Sequence, residues 1–467
     1  MGGAAGSGGG GSGGAASSCK EGFDPVPGAT GKIWYVATTG SDASGNGAID
    51  KPYATLKKAA AASAPGDAIE VRGGQYAAQA SFEAHGTPQA PVHIRPYPGE
   101  AVVFDAINDV LSSSQHVLHA YMSNDVVIEG FEVRNSTGRG ISYYDSTNIT
   151  IRGCTVHDIA YRSIGGSGEN ILIEGNEVFN GAQSNKDGSF MGGGWPGVIQ
   201  TYVFPDGRLS KNVVVRNNHV HDSWGECIIA GFADGFHIEG NRVHDCYSVG
   251  VYVDTSRNVT IERNQIYTTT DAFNRKDNGN RANGISVAAE DYGSMGDVGP
   301  EAIVIVNNLI VGMNRGVGYW HDASNGDANN SFRAVRIMHN VVMGTKRAPL
   351  RFDEVPAGFD PPTDVVVSNN VFYRGADGGD LFVGNPSAFS FASNVWPSGI
   401  PADAMGPGNL ATDPMFIAPN DGSDATGFRL KAGSSCVGAG MAAAEVQTDF
   451  WCAPRSATAP SIGLHEP

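Results

Sequence analysis

A short pattern returns along most of this chain, and it leaves few folds open. The copies are VVIEGFEVRNSTGRGISYY (126–144), ITIRGCTVHDIAYRSIGG (149–166), ILIEGNEVFN (171–180), VVVRNNHVHDSWGECIIA (213–230), FHIEGNRVHDCYSVGVYVD (236–254) and VTIERNQIYTTTD (259–271). Three more follow at 303–312, 335–344 and 365–374. We number these repeats 1 to 9. Each reads as two short alternating strands around an Asn or Gly corner, then a turn and a third strand, with the period-2 alternation of half-buried strands. Asn176, Asn218, Asn241, Asn264, Asn308, Asn340, Asn370 and Asn394 hold one repeat position, which Phe131 and Cys154 hold in the first two copies. The short spacings between them are 22 to 24 residues. That length makes three strands and three turns, one coil of a parallel β-helix, and inward asparagines on successive coils can bond as a ladder. The expected fold is all-β: a single-stranded right-handed parallel β-helix, a solenoid.

The flanks suit such a solenoid. Thr55 is placed to cap a short helix, Leu56 to Ala62, over the open N-terminal end. We expect a β-helix over 32–400, including this cap, and a closing segment over 401–467. Residues 1–31 open with an almost pure Gly/Ser/Ala run and read as a tether. That run lacks the charged and apolar regions of a signal peptide. It suits a secreted or surface protein, with a lipid anchor among the options, and a cloning linker would look the same.

Six cysteines are present and none forms a CxxC pair, which argues against structural zinc. Cys436 and Cys452 are close enough in sequence for a disulfide, whereas Cys154 and Cys227 read as small buried hydrophobes. The net charge of −17 argues against a nucleic-acid binder. No apolar run approaches the ~20 residues of a membrane span. A monomer is expected.

The opening segments YVATTGSD, KPYATLKKA, PGDAIEVRGGQY and APVHIRPYPGEAVVFDA resemble the start of family 9 polysaccharide lyases, and the whole of 32–467 is similar to pectate-lyase-like β-helix proteins. The same opening is shared by some glycosidases. The resemblance implies the fold strongly and a reaction only weakly. For a family 9 lyase it would imply an Asp-rich Ca²⁺ site and a Lys base.

Repeats 3 and 6 carry insertions on the same corner, 180–196 and 268–283. With coils ~4.8 Å apart, walls three coils apart stand ~14 Å from each other, a width suited to a sugar chain. The expected floor holds His221, Asp222, Trp224, Glu226, His244, Asp245 and Tyr247. Asp158, Asp222 and Asp245 form a column that could bind Ca²⁺, or could simply accept turn N–H groups. His221 and His244 form a similar column with acid/base potential. Glu226 aligns with the glycine that opens the third strand elsewhere (Gly140, Gly197, Gly250, Gly284, Gly316), and such a broken rule points to function. A one-residue uncertainty in this alignment turns Glu226 inward or outward. Asp254 lies about four residues along from it, or ~13 Å, so Asp222 or Asp245 fits better as the partner in a carboxylate pair. Tyr252, Trp320 and Trp224 offer faces to sugar rings, while Arg162, Arg275 and Lys276 could meet uronate groups.

Three functions fit. The first is a polysaccharide lyase on an acidic, uronate-containing polymer, with Ca²⁺ or Arg neutralising the carboxylate and Lys276, His221 or His244 as base. The second is a glycoside hydrolase using Glu226 and a second carboxylate. The third is a carbohydrate-binding or surface structural protein.

Overall fold

Each coil turns where the residue before the ladder asparagine takes a left-handed backbone. Gly175, Asn217, Gly240, Arg263, Asn307, His339, Asn369 and Ser393 have φ between 52° and 62°. Gly and Asn tolerate this region; Arg263, His339 and Ser393 are held there by bonds made on the next residue. In the computed structural model, which describes Cys19, Phe23 and residues 26–78, 80–190, 193–290 and 298–467, the ladder is continuous. From Asn176 to Asn370, each Nδ2 donates to the next asparagine's Oδ1 at 2.9–3.0 Å. Each backbone N–H donates to the same oxygen at 2.9–3.0 Å. Asn409 adds a last rung through the backbone N–H of Asn394.

Three parallel faces surround one core. One face has 11 strands. The other two are joined into a 22-stranded sheet by strands Arg139–Arg152 and Ile164–Glu174, which run on around a corner. Inward residues stack like on like: Val126, Ile149, Ile171, Val213, Phe236, Val259, Ile303, Val335 and Val365 are in register and buried. Full burial of one such side chain is worth roughly 1.5–3 kcal/mol, and the stack repeats that gain in every coil.

The helix Leu56–Ala62 buries Leu56, Ala59 and Ala60, and Thr55 Oγ1 accepts from Lys58 N–H at 3.2 Å. Much of 401–467 lies against the 11-stranded face. Phe416, Phe428, Leu430 and Ile462 cover Leu309, Val341 and Val371 there. This explains why the second strands of repeats 7 to 9 are apolar on both sides. Among the described residues no helix is long and apolar enough to cross a membrane.

The cysteines pair differently from the expectation. Cys452 bonds to Cys19, and Cys227 bonds to Cys246 in the next coil. Cys154 and Cys436 are free and buried. Cys436 sits in the apolar cluster under the closing segment, so sequence proximity to Cys452 does not bring the two together. The glycine-rich run 1–18 lies outside the described residues.

Candidate active site

The site is set by an irregularity at one corner. Where the strands Glu226–Gly231, Val249–Asp254 and Asn283–Ala288 begin, two consecutive residues face inward. A Cβ on Gly250 would meet Ile266 Cγ2 at 2.6 Å, and one on Gly284 would meet Ile310 Cγ2 at 2.7 Å, yet the next residues Val251 and Ile285 are also in the core. Register pairs Ile228 with Val251, so Cys227, not Glu226, lies opposite Gly250. The inward sulfur uses that space through its bond to Cys246. Glu226 matches Gly197 on one side but lies opposite Val249 on the other, which faces out with Ile229 and Tyr252. The alignment of Glu226 with Gly250 is therefore corrected by one residue, and Glu226 points outward.

It points into a cavity of about 280 Å³ lined also by Trp195, Tyr252, Glu290, Arg315, Trp320 and Arg351. Successive coils contribute to the lining. Tyr252, Ser286, Gly318 and Arg351 form one outward column, and the small Ser and Gly leave the hollow. The walls are Trp195 and Arg275 from the two insertions, with Arg275 Cζ 4.4 Å from the Trp195 ring centre.

Three carboxylates gather here. Glu226 is buried, and burial first, then the charges of Glu290 and Asp254, raise its pKa well above the carboxylate range, against smaller opposing effects of Arg275 and Ser248. The surroundings therefore favour its protonated form. Tyr252 Oη donates to Glu290 Oε1 at 2.5 Å and accepts from Trp320 Nε1 at 3.1 Å. Burial and the surrounding carboxylates raise the Tyr252 pKa too, so it remains a donor. Asp254 Oδ1 accepts from Thr255 Oγ1 at 3.0 Å and from the Glu290 N–H at 3.4 Å. Trp195 Nε1 and Arg315 Nε are buried donors without a protein partner, a pattern that suits ligand oxygens.

Of the residues singled out above, Glu226, Tyr252, Arg275 and Trp320 line this cavity, and Asp254 stands close enough to act on Glu226. Glu290, Trp195 and Arg351 join them. The insertions do not stand apart as walls of an open groove. A Cβ on Gly188 would meet Lys276 Cβ at 2.5 Å, so 180–196 touches 268–283. Rings close the space beneath. Trp224 packs on Phe273 at 4.8 Å, Tyr247 lies 6.2 Å from Trp195, and its Oη accepts the Lys276 N–H at 2.8 Å. Lys276 Nζ lies over the Trp224 ring at 5.3 Å, outside the cavity lining. Arg162 lies in earlier coils, bound to Tyr144 Oη at 2.8 Å.

His221 and His244 belong to the outer surface of the 11-stranded face, in a stack of His157, Phe179, His221, His244 and Tyr267 with centres 4.6–5.3 Å apart. The aspartates that follow the histidines are turn residues. Asp158, Asp222 and Asp245 have φ of 50–55° and accept from the preceding His Nδ1 at 2.6–2.8 Å. Asp245 also takes the N–H groups of Thr269 and Thr270, and Asp158 the amides of Asn180 and Gln183. The oxygens of Asp158 and Asp245 are committed to turn groups, and the three carboxylates do not converge on one point among the described residues. The set does not fit the six to eight oxygen ligands of Ca²⁺.

Comparison with known proteins agrees with this architecture. Residues 34–194 match the family model "Pel9A-like, right handed beta helix region", and residues 202–333 match "Right handed beta helix region". The chain is a right-handed β-helix protein. A solved structure of XylC in complex with xylose is similar with a TM-score of 0.60 at 12% identity, over 93% of this chain and 98% of that one. The GH136 lacto-N-biosidase from Eubacterium ramulus gives 0.53 at 15% identity, over 78% and 68%. The uncharacterized protein YwoF of Bacillus subtilis (strain 168) is 23% identical over 233 residues, 48% of this chain. The match spans 43% of that relative's length.

Proposed function

We propose that this protein is a carbohydrate-active enzyme of the glycoside hydrolase type, with Glu226 as the proton donor. One observation carries the reading: the buried carboxyl group of Glu226, whose surroundings favour its protonated form, faces a tryptophan-walled cavity beside two further carboxylates. A carboxyl group whose surroundings favour its protonated form, set beside a second carboxyl group, suits the acid/base arrangement of glycoside cleavage. Glu226 gives its proton to the glycosidic oxygen, and the bond to the anomeric carbon breaks. Glu290, held by Tyr252, or Asp254 behind it, stabilises the positive charge that develops or directs water to it. Trp195, Trp320 and Tyr252 stack on or bound the sugar ring. The volume is at the small end of ligand sites, which suits one or two sugar units.

The likeness to sugar-binding and glycosidase β-helices supports the reading at the level of fold. The two disulfides support an oxidising, extracytoplasmic setting. A second reading, β-elimination on a uronate, is favoured by Arg275, Arg315 and Arg351 on the same cavity, since arginines can neutralise a uronate carboxylate. A panel of neutral and acidic oligosaccharides separates the two. Hydrolysis releases reducing ends without ultraviolet-absorbing unsaturated product, whereas elimination yields both. Glu226→Gln should lower turnover by about 10²–10⁴-fold. Wild-type turnover on the panel with no loss in Glu226→Gln would sink the assignment.

A further inference from the structure

Away from the cavity, three imidazoles meet on the outer surface of the 11-stranded face. His219 and His221 are two residues apart on strand His219–Ser223 and so project on the same side, and His244 pairs with His221 in the next coil. One ring nitrogen of each lies within 4.8 Å of the other two, and the Nε2 atoms of His219 and His244 are 2.9 Å apart. We propose that this is a binding site for a divalent transition-metal ion, zinc in the first place, held by Nε2 of His219, His221 and His244.

The surroundings are those of a metal site rather than of a plain aromatic stack. Asp222 Oδ2 and Asp245 Oδ2 lie 2.8 and 2.7 Å from Nδ1 of His221 and His244. A carboxylate on Nδ1 keeps the proton there and turns the Nε2 lone pair toward the cluster, as in carboxylate–histidine–zinc groupings. His221 Nε2 is buried with no hydrogen-bond partner, so one acceptor aimed at the cluster lacks what it needs. The rings are already clamped: His221 stacks between Phe179 and His244, and His244 on Tyr267. Tetrahedral zinc with bonds of ~2.0–2.1 Å needs nitrogens about 3.3 Å apart, a small adjustment from the spacing present. Glu177 Oε1, on a half-exposed side chain 3.7 Å from His221 Nε2 and 3.8 Å from His219 Nδ1, can turn to the fourth position, or water can take it.

Imidazole donors select zinc, nickel or copper over calcium. The aspartates beside the histidines therefore act as orienting groups, not as ligands. The ion would tie repeats 4 and 5 together at the corner from which the 268–283 insertion leaves, since Asp245 also holds Thr269 and Thr270.

The test uses the full chain without a histidine tag, stripped with chelator and titrated with Zn²⁺ by calorimetry and with Co²⁺ by visible absorption. One ion per chain and a tetrahedral Co²⁺ spectrum are expected, with no displacement by equimolar Ca²⁺. His219→Ala and His221→Ala should each weaken binding about tenfold or more, and Asp222→Asn about 10–100-fold with an unchanged circular dichroism spectrum. His219→Gln, at the most exposed of the three, covers the case in which His221→Ala disturbs the stack. His237→Ala, in a separate His/Glu grouping, should leave binding intact. No binding at tens of micromolar, or binding indifferent to His219→Gln and Asp222→Asn but lost in His237→Ala, would overturn the proposal.

Discussion

Replacing Asn264 by alanine measures what the inner ladder contributes. Asn264 Nδ2 donates to the carbonyls of Ile238 and Glu262 and to Asn308 Oδ1, each at 3.0 Å. Its Oδ1 accepts the N–H and the Nδ2–H of Asn241 at 2.9 and 3.0 Å. The residue is fully buried, so water does not replace these bonds. A net hydrogen bond is worth about 0.5–1.5 kcal/mol, and a buried donor left unpaired, here the Asn241 N–H, costs about 1–3 kcal/mol. Some groups keep a second partner, such as Asn241 Nδ2 with the Val215 carbonyl. The expected loss is roughly 3–6 kcal/mol. The molecule supplies its own control. Asn148, Asn170 and Asn212 form a second, exposed ladder at another corner, with Nδ2–Oδ1 distances of 2.9 and 3.0 Å. Asn170 has a φ of 57°, so Asn170→Gly keeps the backbone and removes only the exposed bonds. That change should cost less than about 1 kcal/mol, because water takes over. Urea unfolding followed by circular dichroism and tryptophan fluorescence reads both. Equal costs for the two variants would refute the argument that burial gives the inner ladder its value.

Glu226 carries a raised pKa, so the folded state keeps a proton that the unfolded chain releases near 4.5. Stability from this group is full below that pH and is lost as pH rises toward the folded value. Glu226→Gln should therefore melt higher than wild type at about pH 8 and equally at about pH 4, in a calorimetric pH series. Removing the Cys227–Cys246 bond, which closes a 19-residue loop, should cost about 3 kcal/mol in Cys227→Ala/Cys246→Ala and lower turnover, because it anchors the residue next to Glu226. Tyr252→Phe takes the hydroxyl from Glu290 and from Trp320. It should lower kcat about tenfold or more with a smaller change in KM, and steady-state kinetics on the best substrate of the panel reads the split.

What the sequence made legible was whatever repeats. Asn264 and its equivalents and the helix cap at Thr55 are local rules written once per coil or once per end. Glu226 also stood out locally, by breaking the glycine pattern. Tyr252, Arg275 and Trp320 are legible beside it as an outward aromatic, an insertion cation and a second outward aromatic, whereas Glu290, Trp195 and Arg351 are not. The corner places two residues inward in succession, which no period-2 reading contains, so the sequence aligns Glu226 with Gly250 and not with the outward-facing Val249. Glu290 lies beyond the end of strand Asn283–Ala288 on a connection peculiar to repeat 6, where no repeat partner marks it. Arg351 reaches the cavity only because Ser286 and Gly318 between it and Tyr252 are small. The insertions looked like the walls of a groove because spacing says how far apart their roots are. That Trp195, Trp224, Tyr247 and Phe273 draw them together is a matter of apolar burial, which spacing does not report.

The cavity draws its residues from successive coils that all share one rise. Its dimension along the axis is therefore quantised. Gaining or losing one coil between Glu226 and Glu290 would move them apart or together by about 4.8 Å, close to the length of one sugar unit, while the stacked core and the inner ladder close up unchanged. On the function proposed above, such a solenoid can change the length of glycan it accepts by unequal duplication of a single repeat, without redesigning any residue that lines the cavity.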